Sequence, residues 1–391
     1  MTDISSEILN LLQINSVLGI INLLQGVVFG IVFISISSTK KPSFYLGMFL
    51  FFWGFRFAGD ILADLGYIIE YPFMIFLPLN FYFLSFPLLF LYIKGLTGQY
   101  DYNKDKKHLI PGLLEFVLFS ILFITFLVNR KLGTDGTFHY SFILFYLLSS
   151  HLFAAYYLIK MRSLIRMHKV KVLEVFSSTD KKLLSWLIPM IYIFLLSTCL
   201  AFMFTLFQIA FEQVDFLAGK YFIYVYIALS ILDIILTYWV VIYGIKQSVI
   251  WPKAFVDKSL NQNSTEKPGN EISNFDELFE KVILTVEDTK CFKNNELTIA
   301  DLARLTNIHP AKLSRVIKQK TKTNFSSFVN KYRIEEAKLI MKDSARLKMF
   351  SFNIVIQEVG FKSTSAFYRA FKKFEGITPT HYLMKYEAEK S

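Results

Sequence analysis

The sequence predicts an all-α protein, in which a bundle of seven transmembrane helices precedes a soluble helical domain. Hydrophobic residues make up 54% of the 391 residues and charged residues 19%, whereas about 25% is charged in a typical soluble domain. Residues 8–39, 71–93 and 183–211 contain no charged side chain, and about 20 helical residues cross the ~30 Å core of a bilayer. From residue 251 onward the chain becomes polar, and residues 274–391 carry +7 of the net charge of +11.

The apolar region, residues 1–250, divides into seven predicted spans. Loops rich in polar residues separate apolar stretches of 20 residues or more, and several prolines fall at or beyond their ends. The predicted spans are 17–38, 43–63, 72–93, 109–128, 138–160, 183–208 and 221–244.

Loop charges predict the orientation of this bundle. One set of loops carries thirteen Lys and Arg residues, whereas the opposite set carries only Arg130, Lys131 and Lys220. Because cytoplasmic loops are enriched in Lys and Arg, we expect the N-terminus outside and the C-terminal domain in the cytoplasm. The outer loops are short, so a signal would have to be read within or near the membrane.

Several ionisable residues lie inside the predicted spans. Insertion of such a charge costs about 2.5–3.5 kcal/mol, so these residues usually face the bundle interior and have partners. Two interpretations stay open: structural ion pairs and interhelical hydrogen bonds, or a polar ligand or proton site. The candidate site consists of Arg56 and Asp60, which are spaced i,i+4 and could pair, together with His151 and Asp233. Asp64, at the end of the second span, and Glu115, in the fourth, are further ionisable residues of this kind.

After a linker predicted over 251–273, the sequence predicts a helix-turn-helix unit over about 298–320. Thr298 and Asp301 have the spacing of a capping box, Asn307 tolerates the left-handed geometry of a helix end, and Pro310 suits the first turn of a second helix. With Leu313, Val316 and Ile317 facing inward, the exposed face of that helix is suited to a major groove and its phosphates; this face carries Ala311, Lys312, Ser314, Arg315 and Lys318.

The same pattern recurs over about 352–374. A short helix, 352–359, is followed by a turn at Gly360 and by a second helix that Ser363 caps, with Phe367 and Phe371 packed inward. Two such units could place their second helices in major-groove segments one turn, about 34 Å, apart. The exposed face of this second helix carries Thr364, Ser365, Tyr368, Arg369 and Lys372.

Residues 274–386 resemble the AraC/XylS family of bacterial transcription regulators. The motifs are LTIADLA (297–303), NKYRIEEAK (330–338), and EVGFKS (358–363) continuing through FYRAFKK (367–373) to GITP (376–379) and Tyr382. The resemblance implies that Arg315 and Arg369 enter the groove, with Ala311, Ser314, Ser365 and Tyr368 at neighbouring contact positions. Ile356 stands where the family usually has alanine, Lys322 where it has glycine, and Leu383 where it has a basic residue.

The leading functional prediction is a regulator in the bacterial inner membrane that binds double-stranded DNA, contacts lipid and responds to a small-molecule or membrane signal. Whether it forms a homodimer stays open. The alternative is a membrane receptor or transporter whose cytoplasmic domain binds a protein partner, in which case the basic helices are solvated surfaces of a structural bundle. An enzyme is not expected, because the sequence contains no HExxH, GxSxG, P-loop or kinase motif set. No cofactor or metal is predicted.

Overall fold

The computed structural model describes residues 2–37, 42–128, 136–179, 184–210, 216–250, 275–342 and 352–390. Over these residues the regular secondary structure is helical, which confirms the all-α prediction. The chain divides into two compact units: an apolar unit of residues 1–166 and 185–255, and a basic unit of residues 167–184 and 256–391. The predicted linker, 251–273, lies outside the described residues.

The apolar unit contains six helices that are long and apolar enough to cross a membrane: Asn10–Ser35, Pro42–Asp64, Asn103–Val128, Ser141–Val175, Leu187–Phe207 and Ile223–Gln247. The complete helices are α1 (Thr2–Ser35), α2 (Pro42–Phe55), α3 (Phe57–Asp64), α4 (Tyr67–Glu70), α5 (Tyr82–Leu96), α6 (Tyr102–Asp105), α7 (Ile110–Val128), α8 (Gly136–Val175), α9 (Leu187–Ala210) and α10 (Phe216–Ile250). Two short 3-10 helices, Pro72–Phe76 and Lys106–Leu109, precede α5 and α7.

The third predicted span, 72–93, differs from the structure. Its first part is the 3-10 helix Pro72–Phe76, and α5 begins only after Phe81, whose φ is 50°. Pro78 lies within the interruption, and proline lacks the N–H that a continuing helix requires. The 15 residues of α5 rise about 22 Å, which is less than the ~30 Å of a bilayer core.

Among the other predicted spans, 43–63 agrees with the apolar helical stretch Pro42–Asp64, in which Arg56 separates α2 from α3. The span over 138–160 belongs to the 40-residue helix α8, which continues to Val175. Because 20 helical residues suffice to cross a bilayer, α8 extends well beyond one membrane crossing.

Helices α1 and α2 pack against each other through glycines. A Cβ atom on Gly26 would lie 2.6 Å from the Cα atom of Gly54, and one on Gly47 would lie 2.9 Å from the carbonyl oxygen of Gly30. No side chain fits at these distances, so glycine allows the two backbones to approach closely, as in other helix pairs of apolar bundles.

The basic unit contains two hydrophobic cores. Its helices are α11 (Phe275–Thr289), α12 (Ile299–Thr306), α13 (Pro310–Thr321), α14 (Phe325–Lys342), α15 (Phe352–Glu358), α16 (Thr364–Glu375) and α17 (Pro379–Lys390). Val282, Leu302 and Leu313 belong to the first core, and Ile356 and Phe367 belong to the second. Helix α14 contributes residues to both cores and therefore joins the two halves of the unit.

Candidate nucleic-acid interface

The first helix-turn-helix consists of α12, a tight turn and α13. The predicted capping box is present: the backbone N–H of Asp301 donates to Thr298 Oγ1 at 3.2 Å, and the N–H of Thr298 donates to Asp301 Oδ2 at 2.9 Å. Burial alone would raise the pKa of Asp301, but hydrogen bonds that the hydroxyl and the backbone N–H of Thr298 donate to its carboxylate, together with the charge of Arg304, outweigh burial and lower it. Asn307 ends α12 in the left-handed region, with φ 50°, as predicted.

The second helix of this unit, α13, presents the predicted basic face. It begins at Pro310, and its N-cap residue His309 accepts from the N–H of Ala311 at 3.4 Å. Because Leu313, Val316 and Ile317 are fully buried, the opposite face is accessible. On that face Ala311, Arg315 and Lys318 are exposed, and Lys312 and Ser314 are partly exposed.

The second helix-turn-helix, α15 and α16, repeats the turn of the first. The N–H of Phe361 donates to the carbonyl of Ile356 at 3.0 Å, as the N–H of Ile308 donates to Ala303 at 3.1 Å. Gly360, with φ 92°, occupies the left-handed position that Asn307 holds in the first turn. The isoleucine at 356 is accommodated, since it is 2% exposed within the second core.

The face of α16 is also accessible. Ser363 caps the helix by accepting from the N–H of Ala366 at 3.2 Å, and Phe367 and Phe371 are fully buried, as predicted. The hydroxyl of Tyr368 lies 3.3 Å from Thr380 Oγ1. The other predicted contact residues are exposed: Thr364, Ser365, Arg369 and Lys372.

Arg333 has a structural role that the sequence analysis did not predict. This side chain on α14 is 1% exposed. It donates from Nε to the carbonyl of Phe292 at 2.6 Å and from Nη2 to the carbonyl of Asn294 at 2.8 Å. Its guanidinium carbon lies 5.6 Å from the ring centroid of Phe361. Burial lowers the pKa of Arg333 to about 10, so the guanidinium is charged at neutral pH.

The loop 292–294, which precedes α12, packs against the turn of the second helix-turn-helix unit. A Cβ atom on Gly360 would lie 2.7 Å from the carbonyl oxygen of Phe292 and 2.6 Å from that of Lys293. The ammonium of Lys293 forms an ion pair with Glu336 at 2.6 Å, and Lys362 forms one with Glu296. These contacts fix the turn of the second unit against the first.

In the apolar unit the predicted polar residues are only partly brought together. Arg56, at the break between α2 and α3, forms an ion pair with Asp233 of α10 at 2.6 Å. The guanidinium carbon of Arg56 lies 4.1 Å from the ring centroid of Trp53. Asp60 lies one turn further along α3, and His151 lies with Nε2 3.5 Å from Thr205 Oγ1. The guanidinium therefore pairs across helices rather than along its own.

Glu115 and Asp64 have structural partners. Glu115 accepts from the backbone N–H of Tyr82 at 2.9 Å and of Phe83 at 3.0 Å, and from the hydroxyl of Tyr146. These are the first amides of α5, which have no partner within the helix, and a carboxylate there is favourable. Asp64 accepts from Asn15 Nδ2 at 2.7 Å.

Comparison with known proteins agrees with this geometry. Residues 302–385 match the family model described as a helix-turn-helix domain, so the chain carries a helix-turn-helix domain of the AraC type at its C-terminal end. Two relatives from Bacillus subtilis (strain 168) are similar in this region, "Uncharacterized HTH-type transcriptional regulator YtdP" and "Uncharacterized HTH-type transcriptional regulator YobQ".

The similarity to both relatives is confined to this domain. YtdP is 32% identical over 88 residues, which are 22% of this chain and 11% of YtdP. YobQ is 31% identical over 86 residues, which are 22% of this chain and 34% of YobQ. No solved structure matches the chain significantly. The printed names describe transcriptional regulators, and the AraC-type resemblance predicted from the sequence is confirmed for the domain.

Proposed function

We propose that this protein is a membrane-embedded, sequence-specific DNA-binding transcription regulator that couples a signal sensed in or near the membrane to gene expression. The observation that carries this proposal is the pair of helix-turn-helix units, each with an accessible basic second helix, in one chain with helices long enough to cross a membrane. Arg315 and Arg369 would read base edges, and Lys318 and Lys372 would contact phosphates.

The segments that make up the basic unit support a cytoplasmic location for the DNA-binding domain. Residues 167–179, from the loop between predicted spans five and six, belong to the same compact unit as residues 275–390, which supports the placement of both segments on one side of the membrane. The helices α9 and α10 separate them in sequence, and two crossings return the chain to the side from which it left. That loop is among the basic ones, which are expected to be cytoplasmic.

Reporter fusions test this topology. Fusions at Gln99, Asp135, Lys171, Asp215 and the C-terminus should report inside, outside, inside, outside and inside, because of the distribution of Lys and Arg among the loops. A periplasmic signal from the C-terminal fusion would contradict the proposal, since DNA would then be out of reach.

Capture of DNA in cells tests the function itself. After crosslinking, the full chain should recover a small set of promoter segments, and the double variant Arg315→Ala, Arg369→Ala should recover them far less. Equal recovery by the two proteins at the same membrane abundance would favour the receptor or transporter whose cytoplasmic domain binds a protein.

The Arg56–Asp233 ion pair is our candidate for the element that responds to the signal. A ligand shifts a conformational equilibrium only through different affinity for its two states, and a buried charge pair is sensitive to such a change because breaking it costs about 3–5 kcal/mol. We expect Asp233→Asn, which keeps the shape but removes the charge, to hold a target-promoter reporter constantly high or low. Membrane abundance should stay at the parent value, so that a change in output does not reflect a change in protein level.

Asp60→Asn tests the second carboxylate of the candidate site, which interacts electrostatically with Arg56 and Asp233. The control is Glu70→Gln, which removes an exposed carboxylate and leaves the ion pair intact. If Asp233→Asn inserts normally and the reporter still responds to the signal as in the parent, the pair is structural.

A further inference from the structure

The basic unit includes a segment that lies far from it in sequence. Helix α8 continues to Val175, and residues 167–184 belong to the basic unit. We refer to residues 172–179, the end of α8 and the chain that follows it, as the docking arm.

The docking arm binds the first helix-turn-helix through its backbone. Phe176 forms an antiparallel bridge with Thr298, the N-cap residue of α12. The N–H of Ser177 donates to the carbonyl of Leu297 at 3.1 Å, and its hydroxyl donates to the same carbonyl at 2.7 Å. The carbonyl of Ser177 accepts from Ser326 Oγ at 3.2 Å. Every polar group of Ser177 therefore has a partner, either at Leu297, directly before α12, or at Ser326 of α14.

The contact is buried and includes the guanidinium of Arg333. Ser177 is 2% exposed and Phe176 6% exposed, and Val175 packs against the first core. Arg333 Nη2 donates to Ser177 Oγ at 3.1 Å. A buried charged donor that is satisfied in part by the arm gives this surface a specific occupant, because a buried polar group without its partner is costly.

Docking also reaches the candidate DNA-binding face. Glu174 Oε1 lies 3.2 Å from Lys318 Nζ, on the exposed side of α13. A carboxylate in this position neutralises an ammonium that would otherwise contact a phosphate, and it repels the DNA backbone. The same cation cannot pair fully with both anions.

We propose that the docking arm is an intrachain ligand of the first helix-turn-helix and that, when docked, it lowers the affinity for DNA by occupying Lys318 with Glu174. This inference rests on the proposed function. Because α8 is continuous from the fifth predicted span to Val175, a shift of that span moves the arm directly. The arm is thereby the connection through which a change in the membrane reaches the DNA-binding face.

The test measures binding of the full chain, in lipid nanodiscs, to a random-sequence duplex of about 30 base pairs over a range of salt concentrations. Glu174→Gln should bind about two- to five-fold more tightly at low salt, the effect of one exposed ion pair. The slope of log K against log salt should steepen by about 0.9, as one further phosphate contact becomes available. The matched control is Asp288→Asn, which removes an exposed carboxylate of α11.

A double-mutant cycle makes the assignment specific. In a Lys318→Ala background, Glu174→Gln should change the affinity for the duplex no more than Asp288→Asn does, since the ammonium for which Glu174 and the phosphate compete is gone. Hydrogen exchange should show the amide of Ser177 protected in the parent, because it donates to a buried carbonyl.

Three results would overturn the arm proposal. The first is a duplex affinity of Glu174→Gln equal to that of Asp288→Asn, and the second is an equally large gain in affinity from Glu174→Gln in the Lys318→Ala background. The third is exchange of the Ser177 amide at the rate of an exposed amide. The proposed function fails separately, if neither the parent nor Glu174→Gln binds the duplex at any salt concentration.

Discussion

Replacing Arg333 with alanine should lower the free energy of unfolding of the basic unit by about 3–5 kcal/mol. The guanidinium donates to the carbonyls of Phe292 and Asn294. In Arg333→Ala these carbonyls lose that donor. The truncation also leaves a cavity beside Phe361, over whose ring the guanidinium lies. Since Phe292 belongs to the first hydrophobic core and Phe361 to the second, the change should loosen one core against the other.

Hydrogen exchange of the α14 amides in the full chain measures this effect, because exchange of core amides reports the opening free energy. Their protection should fall by more than about a hundredfold in Arg333→Ala. Arg304→Ala is the matched control: Arg304 is 79% exposed, so its loss should change stability by no more than about 1 kcal/mol. Arg333→Lys should give protection of the α14 amides between that of the parent and that of Arg333→Ala, since an ammonium lacks the planar arrangement of donors of a guanidinium. Equal protection in Arg333→Ala and Arg304→Ala would show that Arg333 is not needed to join the units.

Features that depend on neighbouring residues could be predicted from the sequence. The Thr298–Asp301 capping box, the end of α12 at Asn307, the start of α13 at Pro310 and the cap at Ser363 are all observed. Each involves groups within a few residues of one another, so residue type and spacing determine it. The buried faces of α13 and α16 follow from helical periodicity in the same way.

Features that depend on distant residues could not be predicted. Arg56 and Asp233 are 177 positions apart, and a span pattern does not reveal which helices are neighbours. The sequence offered Asp60 as the partner because it lies within one turn of the same predicted helix, whereas in the structure Arg56 forms its ion pair with Asp233 of another helix. Pro78 lies within the third predicted span, but hydrophobicity alone could not show that the helix begins only after this proline.

The docking arm is the clearest example of this limit. The predicted spans leave residues 161–182 as a loop on the side expected to be cytoplasmic, and charge alone gives no reason to join them to the C-terminal domain. The connection depends on Ser177 and Arg333, which are 156 positions apart. Polar residues of ordinary type become specific only when the fold buries them together.

Arg315→Ala and Arg369→Ala should each weaken binding to a specific site by about 1–3 kcal/mol, or roughly 5- to 150-fold in Kd. Both side chains are exposed on the second helix of a helix-turn-helix, and guanidinium groups in that position read guanine edges through paired hydrogen bonds. The measurement is titration of the full chain in nanodiscs with a promoter duplex recovered from cells. The two losses should add approximately, because the residues belong to separate helix-turn-helix units.

Lysine variants on the same helices separate base reading from charge. Lys318→Ala and Lys372→Ala should weaken binding to specific and random duplexes alike and reduce the slope of log K against log salt by about 0.9 or less per residue. The loss should be smaller for Lys318→Ala, because Glu174 already pairs with Lys318. The arginine variants should instead reduce the ratio of specific to random affinity. Lys281→Ala, an exposed cation of α11, controls for net charge. If Arg315→Ala and Arg369→Ala bind the promoter as tightly as the parent, these helix faces do not read the bases.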